Sequence, residues 1–226
     1  MGVKSTVTMA MAPRFTGMAP GLTTRFVRDA MHHAVTGVGP LTGAAEGADK
    51  QLKEQRGDVE RAVHEVIEFH VRLAGAGGFV TNLGGVVSAA VTIPVNITEL
   101  ALIQCRMIAG IAHLRGYDLA DPRVRNAILA TMMGEDTVED LVKRKRLPAR
   151  PMALATATEI YPDLDRLIAN EVASDLIKRV AGKRTAVVVA RRVPIVGGMV
   201  GAGADGFATW QLGRYADREL RPLARR

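Results

Sequence analysis

The sequence predicts an all-α fold, a multi-helix bundle with two glycine-rich apolar helical hairpins, and three observations carry that expectation. Apolar residues recur at spacings of three and four over long stretches, the period that buries one face of a helix. Aromatic residues make up only 4% of the 226-residue chain, while glycine (23), alanine and valine are abundant. Small side chains suit closely packed helices, whereas β-sandwiches draw on Tyr, Phe, Trp and Ile. Proline, glycine and aspartate also fall where helices should start and stop.

Taken in order, residues 1–22 read as a flexible basic tail of Pro, Gly, Thr and Met without periodicity. A short helix is expected from Thr23 to Val35, then a turn-rich stretch from Gly37 to Gly47. Leu52, Val59, Val63, Val66, Ile67 and Val71 predict an amphipathic helix over 49–73, interrupted or kinked near Gly57. Leu73 to Thr98 then carries no charge across 26 residues, with small residues at Gly77, Thr81, Gly85 and Ala89. Spaced by four, these line up one smooth helical stripe that lets a second backbone approach. Pro94 opens a helix through Ile103, Met107 and Ile111 that stops at Gly116.

Asp121-Pro122 is a helix-entry signal, an N-cap followed by proline in the first turn, and Gly134 ends that helix. A short helix rich in acids at its start and bases at its end follows, to about Arg146, matching the helix dipole. Pro148 and Pro151 mark a boundary. Leu164, Leu167, Ile168, Val172, Leu176 and Val180 predict another amphipathic helix to Ala181. Residues 193–204 repeat the uncharged, glycine-notched device, and a last helix is expected from Phe207 to Leu220. Residues 23–222 thus read as one helical domain, with 223–226 a basic C-terminal tail.

The chain holds 30 Lys+Arg against 23 Asp+Glu, a net charge of +7, and the excess is uneven. Lys4, Arg14, Arg25 and Arg28 face no acid in the first 28 residues, and Lys143, Arg144, Lys145, Arg146 and Arg150 form a second cluster. Basic clusters attract polyanions, including anionic lipid head groups; no specific nucleic-acid motif accompanies them. The single cysteine, Cys105, excludes an intramolecular disulfide and sits in an apolar run, as a buried structural thiol does. A cytoplasmic location is expected, at the inner face of the cell membrane if the apolar stretches contact lipid.

Motifs for chemistry fall short of their requirements. Gly201-Ala-Gly-Ala-Asp-Gly206 spells the dinucleotide fingerprint, but only 20 residues follow it, too few for the second strand that fold needs. His64 and His70 are separated by six, not the four that brings two imidazoles to one helix face, so a solvated face is expected there. Ser5, Ser88 and Ser174 lie outside any nucleophile elbow. No catalytic residue, cofactor, metal site or small-molecule substrate is therefore assigned.

Several stretches together resemble the EcsC family: Gly75-Ala-Gly-Gly-Phe-Val-Thr-Asn-Leu-Gly-Gly85, Ile93-Pro94, Arg106-Met-Ile-Ala-Gly-Ile-Ala-His113, Gly116-Tyr-Asp-Leu-Ala-Asp-Pro122, Arg192-Val-Pro-Ile-Val-Gly-Gly198 and Gly201-Ala-Gly-Ala-Asp205. The resemblance covers roughly residues 25–222. It implies a mostly helical protein with a membrane-associated or accessory role, since the family's namesake lies beside the components of an ABC transporter linked to secretion. It carries over no catalytic residue. Asp205, where relatives often have a neutral residue, argues against deep burial of that segment in lipid.

Two functions follow as expectations: a non-enzymatic, membrane-peripheral protein, or a soluble α-helical binding and oligomerisation module. In the first, Phe79, Val86, Val87, Ile195, Val196 and Met199 contact membrane or partner, whether an integral protein or a second copy. Arg106, Lys143, Arg144, Lys145 and Arg146 then meet anionic lipid. Arg106 is the notable member, because an arginine in an apolar helix snorkels, pairs with an acid or receives a phosphate.

Overall fold

The structure, a computed structural model, describes residues 20–38, 41–76, 95–159, 163–175 and 197–223. Its elements run α1 (Pro20–Thr36), β1 (Gly37–Val38), β2 (Leu41–Thr42), α2 (Ala44–Glu54), α3 (Val59–Ala76), α4 (Val95–Leu114), α5 (Pro122–Met132), α6 (Glu135–Lys143) and α7 (Pro151–Ala155), then α8 (helical residues 164–175) and α9 (Gly197–Glu219). The all-α bundle is as the periodicity predicts. Among the described residues it departs from helical structure at the antiparallel β1–β2 ribbon, which pairs Gly37 with Thr42 and Val38 with Leu41.

Helix α4 is the central element. Every residue from Ala101 to Ala112 is buried, and α1, α2, α3, α5 and α9 all pack on it. A helix enclosed on all sides needs an apolar circumference, and Ile103, Met107, Ile108 and Ile111 supply it. Gly110 lets α2 and α3 close on α4: a Cβ there would stand 3.4 Å from Val66 Cγ1 and 3.6 Å from Ala48 Cβ.

Helices α3 and α9 pack antiparallel at still shorter range. A Cβ on Gly206 would lie 3.6 Å from the Val71 carbonyl oxygen and 3.7 Å from Gly75 Cα. One on Gly213 would lie 2.8 Å from Ile67 Cγ2 and 3.2 Å from Met107 Sδ. At the far end of this pair Arg115, at the end of α4, bridges Glu60 of α3 and Asp217 of α9 at 2.6 Å. The terminal residues are held by the same corner, with the Leu223 amide donating to the Arg115 carbonyl at 3.0 Å and the Tyr117 hydroxyl to the Arg221 carbonyl at 2.8 Å.

The local signals act as anticipated at α5, where the Asp121 carboxylate accepts from the Arg123 amide at 2.8 Å and Pro122 opens the helix. Gly116 and Gly134 end α4 and α5 with φ of +90° and +83°. The 49–73 segment is interrupted near Gly57 as expected, where Arg56 and Gly57 both take positive φ. Three boundaries differ from expectation. Helix α2 already begins at Ala44, inside the stretch expected to be turns. A five-residue helix, α7, occupies the proline boundary. The stretch from Gly197 is not a separate element but the opening turns of a 23-residue α9. Its glycines lower helix propensity, yet the helix continues through them until Gly206 meets α3 at Gly75. The segment expected to form the first glycine-rich hairpin lies outside the described residues, as do residues 176–196 before α9.

Gly213 and Gly203 make opposite demands on the same helix. Gly213→Ala gains helix propensity but forces a methyl into the β-branched Ile67, so it should destabilise the fold by about 1–2 kcal/mol. Gly203, with open space where its Cβ would be, should give a Gly203→Ala protein stabilised by about 0.5–1 kcal/mol. Urea unfolding followed by far-ultraviolet circular dichroism reads both, and equal signs for the two would refute the close-packing account of α9.

Candidate functional site

The outward face of α9 combines aromatic and cationic side chains. Leu212, Tyr215, Ala216 and Leu220 turn into the core, leaving Gly203, Phe207, Trp210, Arg214 and Arg218 exposed at helical spacing, with Arg221 continuing the line just past the helix. Phe207 is 59% exposed and Trp210, the chain's one tryptophan, 42%. Their rings stack with centroids 6.0 Å apart and planes 20° from parallel. Along the same face Arg214 lies 3.6 Å from Asp217, and Arg218 reaches Glu135 of α6 at 2.5 Å. Such a face is wet on one half and oily on the other.

The cross-contacts fix which helix ends coincide. Gly206 meets Gly75 near one end, while Arg115 joins Glu60 and Asp217 at the other. The end of α3 at Ala76, the start of α4 at Val95 and the start of α9 at Gly197 therefore share one end of this three-helix unit. In sequence, those are the points where the uncharged stretches 73–98 and 193–204 adjoin the helices. Phe207 and Trp210 straddle the middle of α9.

Of the residues proposed for membrane or partner contact, Phe79, Val86, Val87, Ile195 and Val196 lie outside the described residues. Met199 falls within α9, its side chain outside those described. The basic cluster is described and lies toward the other end, beside the C-terminal half of α9. Lys143 faces Glu139 at 3.7 Å, Arg144 faces Asp140 at 2.9 Å and Arg146 pairs with Glu171 of α8. Arg150 reaches Glu139 at 2.5 Å and Glu219 at 4.0 Å. Lys145 is exposed in a left-handed turn with φ of +56°. Carboxylates on α6 and α8 thus offset much of the charge that the linear sequence concentrates here.

Arg106 stands apart from that cluster, facing the ribbon and α2. It is 8% exposed, and its Nη2 donates to Thr42 Oγ1 at 2.9 Å. A Cβ on Gly47 would come within 2.9 Å of the same nitrogen, so glycine there makes room for the guanidinium. Burial holds its pKa below the usual arginine value, against an opposing pull from Glu46. The expected ion pair is replaced by this hydroxyl contact: among the described residues no carboxylate comes within 4.0 Å. On the same helix Arg115, 6% exposed, has two carboxylates, and its hydrogen bonds hold the Glu60 pKa below its ordinary value.

His70 corrects the expectation of a solvated face. It is 5% exposed, its Nδ1 lies 2.7 Å from the Val66 carbonyl, and its Nε2 is buried without a partner. Burial is the main cause that takes its pKa down to about 4, so the ring is neutral. His64 is exposed on the opposite side of the turn. Among the described residues no group of three or more His, Cys, Asp or Glu side chains could hold a metal ion. The Gly201–Gly206 fingerprint lies inside continuous α-helix rather than at a strand-to-helix turn, so its amides are committed to the helix. Cys105 is fully buried beside Met31, and burial pushes its thiol up to about 12, well away from a nucleophile's range. The Phe207–Trp210 pair is the feature sequence reasoning missed. Its signal was an i, i+3 aromatic spacing on a helix whose other apolar residues follow a different face.

The model of the EcsC protein family matches residues 20–222, and the chain belongs to that family. No curated protein and no solved structure matches it. Among the described residues, no helix is long and apolar enough to cross a membrane.

The buried imidazole has a measurable consequence. Its pKa is about 4 folded against 6.5 unfolded, so the unfolded chain takes up a proton that the folded chain refuses. Stability from this group is complete above pH 6.5 and is lost as pH falls toward 4, by about 1 kcal/mol per pH unit. His70→Gln should flatten the slope of unfolding free energy between those limits, measured by urea titration at successive pH values; an unchanged slope would show that the ring is accessible to protons in the folded state.

Proposed function

We propose that this EcsC-family chain is a non-enzymatic, membrane-peripheral helical protein whose α9 lies in the interface of an anionic bilayer, outer face down. The stacked, exposed Phe207–Trp210 pair running into Arg214, Arg218 and Arg221 is the observation that carries this reading. Amphipathic rings belong at the head-group level, and arginines flanking them meet lipid phosphates.

The magnitudes favour reversible attachment. The exposed parts of the two rings amount to roughly 200 Å², or about 5 kcal/mol on transfer out of water. Each arginine adds about 1 kcal/mol near an anionic surface, less where Asp217 and Glu135 already compensate it. Association itself costs about 4–15 kcal/mol, so the balance is a weak, salt-sensitive contact unless the uncharged stretches 73–98 and 193–204 add to it. Phe79, Val86, Val87, Ile195, Val196 and Met199 are the side chains that would do so. Lys143, Arg144, Lys145 and Arg146 are then a secondary, long-range attraction. An accessory position beside an ABC transporter or secretion apparatus is compatible with attachment of this kind, the integral partner then sharing the aromatic face with lipid.

The single tryptophan makes the proposal directly testable, since all tryptophan emission reports on residue 210. Adding vesicles of phosphatidylglycerol should shift that emission to shorter wavelength, and the shift should shrink with salt. Phe207→Ser should weaken vesicle binding about tenfold. An unmoved emission spectrum together with no flotation would sink the membrane reading. Self-association that Phe207→Ser abolishes, in the absence of lipid, would favour the binding and oligomerisation module instead.

A further inference from the structure

We propose that Arg106 and Thr42, beside the start of α2, form a binding site for a phosphate-class oxyanion. A guanidinium taken out of water is costly unless a counter-charge comes with it. The protein shows both situations on one helix. Arg115 is met by Glu60 and Asp217, whereas Arg106, comparably buried, donates to a neutral hydroxyl.

The surroundings supply further donors. Helix α2, eleven residues long, starts at Ala44 behind Gly43, which supplies no side-chain cap and packs against the Val35 carbonyl, so the positive end of its dipole is met by backbone alone. Arg106 Nη2 lies against the first turn of α2, 2.9 Å from where a Cβ of Gly47 would stand. Thr42, immediately before the cap, is exposed and offers a hydroxyl. A forked cation and a hydroxyl beside the positive end of a helix dipole form a donor set that suits a tetrahedral oxyanion. His70 is close enough to feel the Arg106 charge, and its buried Nε2 lacks a partner. The one opposing group is Glu46, an exposed carboxylate in the same turn. It favours the arginine's charge from beyond ion-pairing distance and competes with an incoming anion.

The site does not depend on the α9 reading, and the two fail separately. Calorimetric titration and thermal unfolding of the full chain with inorganic phosphate, against chloride at equal ionic strength, should show saturable binding and a rising Tm. Arg106→Gln should weaken it by more than tenfold and Thr42→Val by several-fold, while Glu46→Gln should tighten it. Should Arg106→Gln fail to fold, Arg106→Lys and the exposed Thr42→Val carry the test. Phe207→Ser should leave phosphate binding unchanged. If inorganic phosphate produces no shift but phosphatidic acid vesicles bind Phe207→Ser protein in an Arg106-dependent way, the oxyanion is a lipid head group. Absence of both responses, or binding that persists unaltered in all the Arg106 and Thr42 variants, overturns the proposal.

Discussion

The close approach of α9 to α3 is the constraint on which the rest of the architecture depends. At Gly206 the backbone of α9 lies over the backbone of α3 near Gly75, and at Gly213 the side chains of Ile67 and Met107 occupy the volume a Cβ would need. Interiors packed to crystal density leave no slack for an added methyl at such points. Because the two helices touch over this length, their ends are brought into register. That register places Glu60 and Asp217 on either side of Arg115 and leaves the outer face of α9 uncovered.

Helix α4 then becomes the axis on which charge is managed. Its buried stretch places Gln104 against Thr209 at 3.2 Å, Arg106 toward α2 and Arg115 at the corner where three helices meet. A neutral amide–hydroxyl pair satisfies itself. The cation at the corner is satisfied by two acids, whose pull raises the arginine's pKa. The cation under α2 is given one hydroxyl. The two arginines thus play different parts: one closes the bundle, and the other equips it with an unspent positive charge.

Surface electrostatics follow from the same geometry. Lys143, Arg144, Arg146 and Arg150 each find a carboxylate on α6, α8 or the end of α9, and exposed pairs of this kind contribute little to stability. Their consequence is on the field: a cluster that is basic in sequence is near balance in space. Arg214 and Arg218 likewise find Asp217 and Glu135, but their line adjoins an exposed aromatic pair, and that combination distinguishes it from the remaining solvated surface.

By itself the sequence determined the helical class, the capped start of α5 at Asp121-Pro122, the stops at Gly116 and Gly134, and the inert burial of Cys105. These are set by local backbone preference and by apolar periodicity, which operate within a few residues. It also contained the family motifs, because those are contiguous stretches. Only the tertiary structure decided that His70 is buried while His64 is not, since that depends on which side of α3 meets α4 and α9. It decided that Arg106 meets Thr42, 64 positions away, rather than an acid. It decided that residues 197–206 continue into α9 in spite of glycine's poor propensity, as the opening turns of a helix anchored on α3 from Gly206 onward. Finally, it set which of the cations find acids, because ion pairing between α6 and α8 or α9 is fixed by distance in space, and charge spacing along a chain does not encode it.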